Sequence, residues 1–251
     1  MTNKIIELVC SDWADFRRTL EDKIYKKGFF VSGEFLYRGQ SSAAYRLETS
    51  FDRWYKGPKG KRPVIADQLL RNFGVECDGH SSATPEILAD EERLLALAQH
   101  HGLPTRLLDW TVSPYIAAFF AFSYTFDADA ALEDYVAVWV LDPSSDIWAQ
   151  DNGAYILDPA KHGNERMRSQ GGRFTHLVGV FDCLEDYVLE MDRPDVLRKI
   201  LVPTRDIEKA MGDLSAMQCN HARLFPGFDG FAKEAKARVG IDLKMKAKPK
   251  A

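Results

Sequence analysis

The run Tyr-Val-Ala-Val-Trp-Val-Leu at residues 135–141 is the strongest indication of the fold class of this chain. It is apolar throughout and rich in β-branched residues, a pattern typical of a strand covered on both faces. Further strands are predicted at Phe35–Arg38, which stops at Gly39, and at Leu177–Phe181 and Lys199–Val202. Together they predict a central sheet that contains residues 135–141.

Helical patterns lie around the predicted strands, without the regular strand–helix–strand rhythm of a doubly wound fold. Their starts are marked by capping and turn residues at Ser11, at Thr84-Pro85-Glu86 and at Ser113-Pro114. The sequence therefore predicts an α+β fold, a single domain with a mixed central sheet flanked by helices. Its helices are predicted at residues 11–26, 65–73, 84–101, 113–122 and 207–214.

The composition is that of an ordinary globular protein, with 45% hydrophobic and 28% charged residues. A chain of 251 residues is long for one domain, but it is within the range that single mixed domains reach. The net charge of −4 gives no support to bulk electrostatic binding of DNA or RNA. We predict one domain over residues 1–240 and a basic, disordered tail at 241–251.

The cysteines lie far apart and form no CxxC pair, so the sequence indicates neither a disulfide framework nor a zinc site. Glycine motifs that cradle phosphates, HExxH and GxSxG are all missing from the sequence. The sequence shows neither a signal-peptide core nor an apolar run of membrane-spanning length. We therefore expect a cytoplasmic protein with no metal and no membrane partner. Its four thiols are expected to be free and mostly buried, at Cys10, Cys77, Cys183 and Cys219.

The segment Gln99–Thr111 places several hydrogen-bonding side chains between strongly apolar flanks. Such groups are at least partly desolvated, and desolvated polar groups must be paired. Two interpretations stay open on the residues alone. The segment builds a functional site, or Arg106 pairs with Asp109 to lock a turn while Trp110 fills the core.

Two further segments could bind an anion. In Tyr-Arg-Gly-Gln at 37–40, an arginine at the end of a strand precedes a glycine, which suits a phosphate or carboxylate ligand. An ordinary strand-end salt bridge is the alternative. Residues 166–174 carry Arg166, Arg168 and Arg173 around a glycine pair, either as an anion-binding turn or as a solvated loop.

In this order and spacing, the three segments resemble the FRG domain family, which is named after a Phe-Arg-Gly motif. Residues 37–40 resemble the naming motif, and Gln99–Thr111, continued by Ala-Phe-Phe-Ala at 118–121, matches the longest family signature. Residues 170–174 resemble its glycine–phenylalanine motif and residues 224–230 its closing motif. The resemblance covers about residues 35–232.

The same pattern is remotely similar to the mono-ADP-ribosyltransferase fold, in which Arg38 and Leu108–Thr111 would be the first two elements. The resemblance implies an NAD-dependent ADP-ribosyltransferase or NAD glycohydrolase, with NAD as the substrate and no metal. It further implies a macromolecular acceptor (RNA, DNA or protein), a role as a bacterial toxin or anti-phage defence effector, and an inhibitor protein. The alternative is a non-catalytic module that binds a nucleotide or a nucleic acid, using Arg38, Arg106 and the arginines of 166–173.

The resemblance also supplies candidate site residues. Gln170 stands at about the place of a catalytic glutamate, although an amide cannot act as a general base. Tyr37, Trp110 or Phe174 would provide a flat apolar wall for nicotinamide. The catalytic candidates are Arg38, Asp109, Thr111 and Gln170. The NAD-binding candidates are Tyr37, Arg38, Gly39, Gln40, Gln99, His100, Thr105, Arg106, Trp110 and Phe174.

Overall fold

A computed structural model of the chain describes residues 4–81, 83–123, 133–158 and 171–247, with side chains through residue 240. Within these ranges, seven strands form one mixed sheet in the order β1-β7-β4-β2-β3-β6-β5. Strands β1 and β7 are parallel, and the other neighbours are antiparallel. The strands are β1 (Ile6–Val9), β2 (Leu36–Gln40), β3 (Leu107–Thr111), β4 (Tyr135–Leu141), β5 (Ala154–Leu157), β6 (Gly172–Leu177) and β7 (Leu197–Pro203).

The predicted central strand is confirmed as β4, which pairs with β2 on one side and with β7 on the other. Every residue from Val136 to Leu141 is buried, because both faces of the strand are covered by packed side chains. The α+β class, with a mixed sheet flanked by helices, is thereby confirmed. The helices described are α1 (Trp13–Thr19), α2 (Ser50–Trp54), α3 (Arg62–Cys77), α4 (Pro85–Ala89), α5 (Glu91–His100), α6 (Pro114–Ser123), α7 (Leu184–Glu190), α8 (Ile207–Ala216), α9 (His221–Leu224) and α10 (Phe228–Ala247).

Two separate groups of helices cover the same face of the sheet. One apolar cluster joins α1, α6 and α8 to the β2, β4 and β7 half of the sheet. A second cluster joins α3 and α5 to Leu107 of β3 and Phe174 of β6. Because Tyr37 of the first cluster pairs with Thr111, and strand residues alternate between faces, Leu107 lies on the same face as Tyr37. The opposite face carries a third cluster, which contains Trp110, Trp139 and residues of α7.

Several elements differ from their predicted bounds, among them two strands and one helix. The strand predicted at Leu177–Phe181 is wrong, since β6 ends at Leu177 and the carbonyls of Gly179 and Phe181 accept hydrogen bonds from arginine side chains. The helix predicted at 84–101 is two helices, because Asp90 is extended and caps the second one. Strand β2 does not stop at Gly39 but continues to Gln40.

Several short elements were not predicted from the sequence. Strands β1 and β5 have only four residues each, and helix α7 has seven. Helix α10 reaches Ala247 and so extends into the segment for which a disordered tail was predicted. All four cysteines are free thiols, as expected. None of the helices in the described ranges combines the length and the apolar character that a membrane span requires.

Candidate functional site

The sheet opens between β2 and β3. These antiparallel strands are paired at one position only, Tyr37 with Thr111. By contrast, β2 pairs with β4 over all five of its residues, and β3 pairs with β6 in the same way. From Tyr37 toward Gln40 the two strands therefore separate, and the opening between them has β2 on one side and β3 on the other.

Arg38 and Asp109 meet in this opening. Along β2, Arg38 alternates with Tyr37, whereas Asp109 has the same parity along β3 as Thr111, so the two side chains start on opposite faces of the sheet. Nη1 of Arg38 donates a hydrogen bond to the main-chain carbonyl of Asp109 at 2.7 Å. The same nitrogen lies 3.7 Å from Oδ2 of the Asp109 carboxylate. Arg38 thus spans the opening and supplies a donor where the backbone ladder between the strands has ended.

A hydrogen-bonded chain holds the Asp109 carboxylate from the other side. Gln99, at the end of α5, donates from Nε2 to Oδ2 of Asp109 at 2.9 Å. The hydroxyl of Thr105 donates to Oε1 of Gln99 at 2.6 Å, which fixes the direction of the amide. Thr105 is itself held by Ser50 of α2, whose hydroxyl accepts from the Thr105 amide at 3.1 Å. The carboxylate is therefore positioned from two directions, by Arg38 and by Gln99.

The resulting group of charges is accessible from solvent. The side chain of Asp109 is 61% exposed and that of Arg38 is 20% exposed. A guanidinium at the edge of an opening can bind phosphate or carboxylate oxygens with its planar donors. An exposed carboxylate that is already oriented can accept hydrogen bonds from ligand hydroxyls or stabilise a nearby cation. We refer to Arg38, Asp109, Gln99 and Thr105 as the opening cluster.

Gly39 serves the packing of a helix. A Cβ atom at this position would lie 1.9 Å from the carbonyl oxygen of Ala117 and 2.6 Å from the amide nitrogen of Ala121. The backbone of α6 therefore rests directly on β2, a distance that only glycine permits. Gly39 is one of the NAD-binding candidates, and in the structure the backbone of α6 occupies the face on which its Cβ would lie.

The three aromatic candidates lie in the hydrophobic core. Tyr37, Trp110 and Phe174 are only 1%, 3% and 4% exposed. The indole nitrogen of Trp110 donates to the hydroxyl of Thr175 at 3.0 Å, so the polar part of this side chain is satisfied internally. None of the three rings is exposed in this structure, and their contact with nicotinamide stays a prediction.

Arg106 lies in a buried ion cluster away from the opening. Its side chain is 1% exposed, and its Nε lies 3.4 Å from Oδ1 of Asp52, a carboxylate with no exposed surface. Arg62 shares the same oxygen at 3.5 Å, and both guanidinium groups also donate to the carbonyl of Phe181. Burial lowers the pKa of Arg106, while the charge of Asp52 opposes this shift. The partner of Arg106 is thus Asp52 rather than Asp109, and its role is to hold the 178–182 segment.

The remaining candidates near the opening make structural contacts. The side chain of Gln40 accepts from the indole of Trp139 at 2.7 Å and donates to the carbonyl of Arg46 at 2.9 Å. Thr111 is buried, and its hydroxyl accepts from the amide of Ser113 just before α6 begins. His100 is exposed at the end of α5, with its ring edge-on to His101 at 5.1 Å. These contacts fix the walls of the opening.

Part of the predicted arginine-rich turn lies outside the described residues, namely Arg166, Arg168 and Gln170. Arg173 is described, and its Nη2 lies 3.0 Å from Oδ2 of Asp158. Gly172–Phe174 belong to β6 and form its first half. In the described ranges, no group of three or more His, Cys, Asp or Glu side chains is placed to hold a metal ion.

The sequence patterns did not reveal Ser50, which supports the site from α2, or Asp52, which holds the separate ion cluster. Both follow Thr49, which caps α2 by accepting from the amide of Asp52. The pattern Thr-Ser-Phe-Asp at 49–52 is a helix-start signal that could have revealed α2. Its contact with Thr105 is formed only by tertiary packing, because the two segments are more than fifty residues apart.

A separate concavity of about 450 Å³ lies between α8 and α10. Glu234, on its wall, accepts from the amide of His221 at 3.0 Å and from Nε of Arg238 at 3.0 Å. The carboxylate therefore ties α9 to α10. The residues of this concavity belong to neither β2 nor β3, so it is distinct from the opening.

The segment that forms the opening is similar to a known protein family. The model of the FRG domain matches residues 33–130, which include β2, β3, α5 and α6. The motifs at 170–174 and 224–230 lie beyond the matched residues. No curated protein and no solved structure matches the chain. The two strands that carry Arg38 and Asp109 thus lie inside residues 33–130, the region that is similar to the FRG domain.

Proposed function

We propose that this protein is an NAD-dependent ADP-ribosyltransferase or an NAD glycohydrolase that acts on a macromolecular target. The observation that supports this most is the opening cluster, in which an accessible arginine and an accessible carboxylate meet between two strands that have separated. The proposal includes a cytoplasmic location and a role as a toxin or anti-phage defence effector restrained by an inhibitor protein.

The chemistry gives each member of the cluster a role. Cleavage of the bond between nicotinamide and ribose develops positive charge on the ribose carbon, and a nearby carboxylate stabilises that charge. Asp109 would supply it, since it is exposed and held by Gln99 at 2.9 Å. Arg38 would bind the pyrophosphate of NAD through its planar donors. The released ribosyl carbon then bonds to an acceptor oxygen or nitrogen, or to water, and the proton of the acceptor goes to solvent or to a base.

The proposed roles leave out the aromatic residues that the sequence suggested as a wall for nicotinamide. Because Tyr37, Trp110 and Phe174 are buried, none of them is proposed to contact nicotinamide. Arg106 is left out for the same reason, as its charge is paired with Asp52. Thr111 and Gln40 are proposed to shape the opening through their internal hydrogen bonds.

The test is incubation of the purified protein with NAD labelled on its adenylate half, first alone and then with cell extract, followed by separation of protein, RNA and DNA. Wild type is compared with Arg38→Ala and Asp109→Asn. The matched control is Arg18→Ala, which removes an exposed arginine that pairs only with Asp15 in the described contacts. We expect labelled product or free ADP-ribose from wild type and the control, and a loss of at least tenfold in both cluster variants, because each removes a charge-assisted contact.

Intact NAD with wild type in both incubations, from a sample with a cooperative thermal melt, would overturn the proposal. The buried positions of the three aromatic candidates favour the alternative, a non-catalytic module that binds a nucleotide or a nucleic acid. That alternative predicts saturable binding of nucleotide that weakens in Arg38→Ala without any release of nicotinamide.

A further inference from the structure

A basic and aromatic segment connects α2 to α3. Residues 53–62 read Arg-Trp-Tyr-Lys-Gly-Pro-Lys-Gly-Lys-Arg, with five cationic residues, two aromatic residues and no acidic residue. The whole chain has a net charge of −4, so this local charge is opposite in sign to that of the protein. We refer to residues 53–62 as the basic-aromatic segment.

The segment is fixed at both ends. At its start, Phe51 is fully buried, and its carbonyl accepts from the amide of Tyr55 at 2.7 Å. At its end, Arg62 is buried between Asp52 and Asp182, with its Nη1 2.7 Å from the Asp182 carboxylate. Lys59 binds the same Asp182 carboxylate. These contacts anchor both ends of the segment to the body of the protein.

Its outer surface combines cations with an accessible ring. Arg53, Lys56 and Lys61 are exposed, and Trp54 is 53% exposed. The indole packs against buried Phe51, and the two ring centres lie 5.9 Å apart. An aromatic ring beside cationic side chains is typical of proteins that bind single strands. A base stacks on the ring, and the cations neutralise the phosphates.

The segment begins at the wall of the opening. The amide of Phe51 and the hydroxyl of Ser50 both donate to the carbonyl of Thr105, at 3.0 and 3.2 Å. Thr105 in turn contacts Gln99, which binds Asp109. Helix α2 has only five residues, so it carries Trp54 about 6 Å along its axis from Ser50.

We propose that the basic-aromatic segment binds single-stranded nucleic acid, with phosphates on Arg53, Lys56 and Lys61 and a base on Trp54. A single strand fits better than a duplex, because only unpaired bases expose their faces for stacking. Charge complementarity favours a polyanion over a protein surface of mixed charge, since the segment contains no acidic residue. If the function proposed above holds, the bound strand is also the acceptor of ADP-ribose; this consequence, but not the binding itself, rests on that function.

The test is fluorescence anisotropy of labelled single-stranded RNA and DNA of about 12 nucleotides, within the usual site size for such binders, in the absence of NAD. Lys56→Glu combined with Lys61→Glu is expected to raise Kd roughly tenfold or more. It should also lower the slope of log K against log salt by about 1.4, because two phosphate contacts are lost. Trp54→Ala is expected to raise Kd by roughly 5- to 100-fold. The matched control, Lys27→Glu with Lys209→Glu, changes the net charge equally at exposed positions elsewhere.

Binding by RNA alone, by DNA alone or by both supports the proposal and identifies the class of strand. Absence of binding by wild type overturns it, as does an equal loss in the control pair or an unchanged Kd in the Lys56–Lys61 pair. Thermal melts check that each variant is folded. Kd is measured separately for the two double lysine variants and for Trp54→Ala. Strand binding is measured without NAD, and NAD turnover is measured separately with Arg38→Ala and Asp109→Asn, so that loss of NAD turnover and loss of strand binding are separate results.

Discussion

Replacing Gly39 with alanine tests whether this glycine serves helix packing. The added Cβ would lie 1.9 Å from the Ala117 carbonyl oxygen, whereas such contacts are essentially never shorter than 3.0 Å, so α6 must move by more than about 1 Å. Helix α6 is buried between β2 and the α1 and α8 helices and has little room to shift. We expect a loss of about 3 kcal/mol, at the upper end for overpacked cores, and a Tm lower by about 6–12 °C.

The assay is thermal unfolding followed by circular dichroism, with Gly212→Ala as the matched control. Gly212 lies inside α8, and a Cβ there would meet no atom within 4 Å. This control should gain about 0.5–1 kcal/mol, because alanine favours the helical state. A wild-type Tm for Gly39→Ala, together with weakened NAD or nucleotide binding, would refute the packing argument and return Gly39 to the ligand site.

Three further predictions concern buried polar groups. Asp52→Asn leaves the buried Arg106 charge unpaired and is expected to cost about 3–5 kcal/mol in urea unfolding at pH 7; a loss below 1 kcal/mol would contradict the ion cluster. Burial, with a smaller effect of Arg106, lowers the pKa of His176 to about 4. Since the unfolded state binds the proton more readily, stability should fall by about 2 kcal/mol between pH 7 and pH 5, and His176→Gln should remove most of that fall. Thiol titration of the native protein should detect about one reactive group, Cys77, because burial raises the pKa of the other thiols; rapid reaction of all four would contradict this. Those buried thiols are Cys10, Cys183 and Cys219.

The parts of the fold that the sequence predicted are those with strong local signals. Residues 135–141 form the central strand, since a continuous β-branched run can be satisfied only where both faces are covered. Helix α6 begins at Pro114, as its start signal indicates. The helix predicted at 84–101 is two helices in the structure, because Asp90 caps the second one. Apolar periodicity does not reveal such an internal cap.

For the candidate site, the sequence identified the segments that are rich in polar residues. Tertiary packing determined which of these residues contact each other. Arg38 and Asp109 were singled out separately, and the structure joins them at 2.7 Å across the opening. Arg106 lies three residues from Asp109, and a pair between them was one of the two interpretations of this segment. Arg106 precedes β3, and its side chain contacts Asp52 of α2 instead.

Local sequence patterns predicted the α+β class, the buried central strand and the segments that carry the polar residues, because apolar periodicity and capping residues act over a few residues along the chain. Three features arise from tertiary packing instead: β2 and β3 separate after one pair, α6 rests on Gly39, and α2 supports Thr105. These features depend on contacts between residues more than fifty positions apart. Such contacts form when apolar faces pack, and no local pattern specifies which partners they bring together.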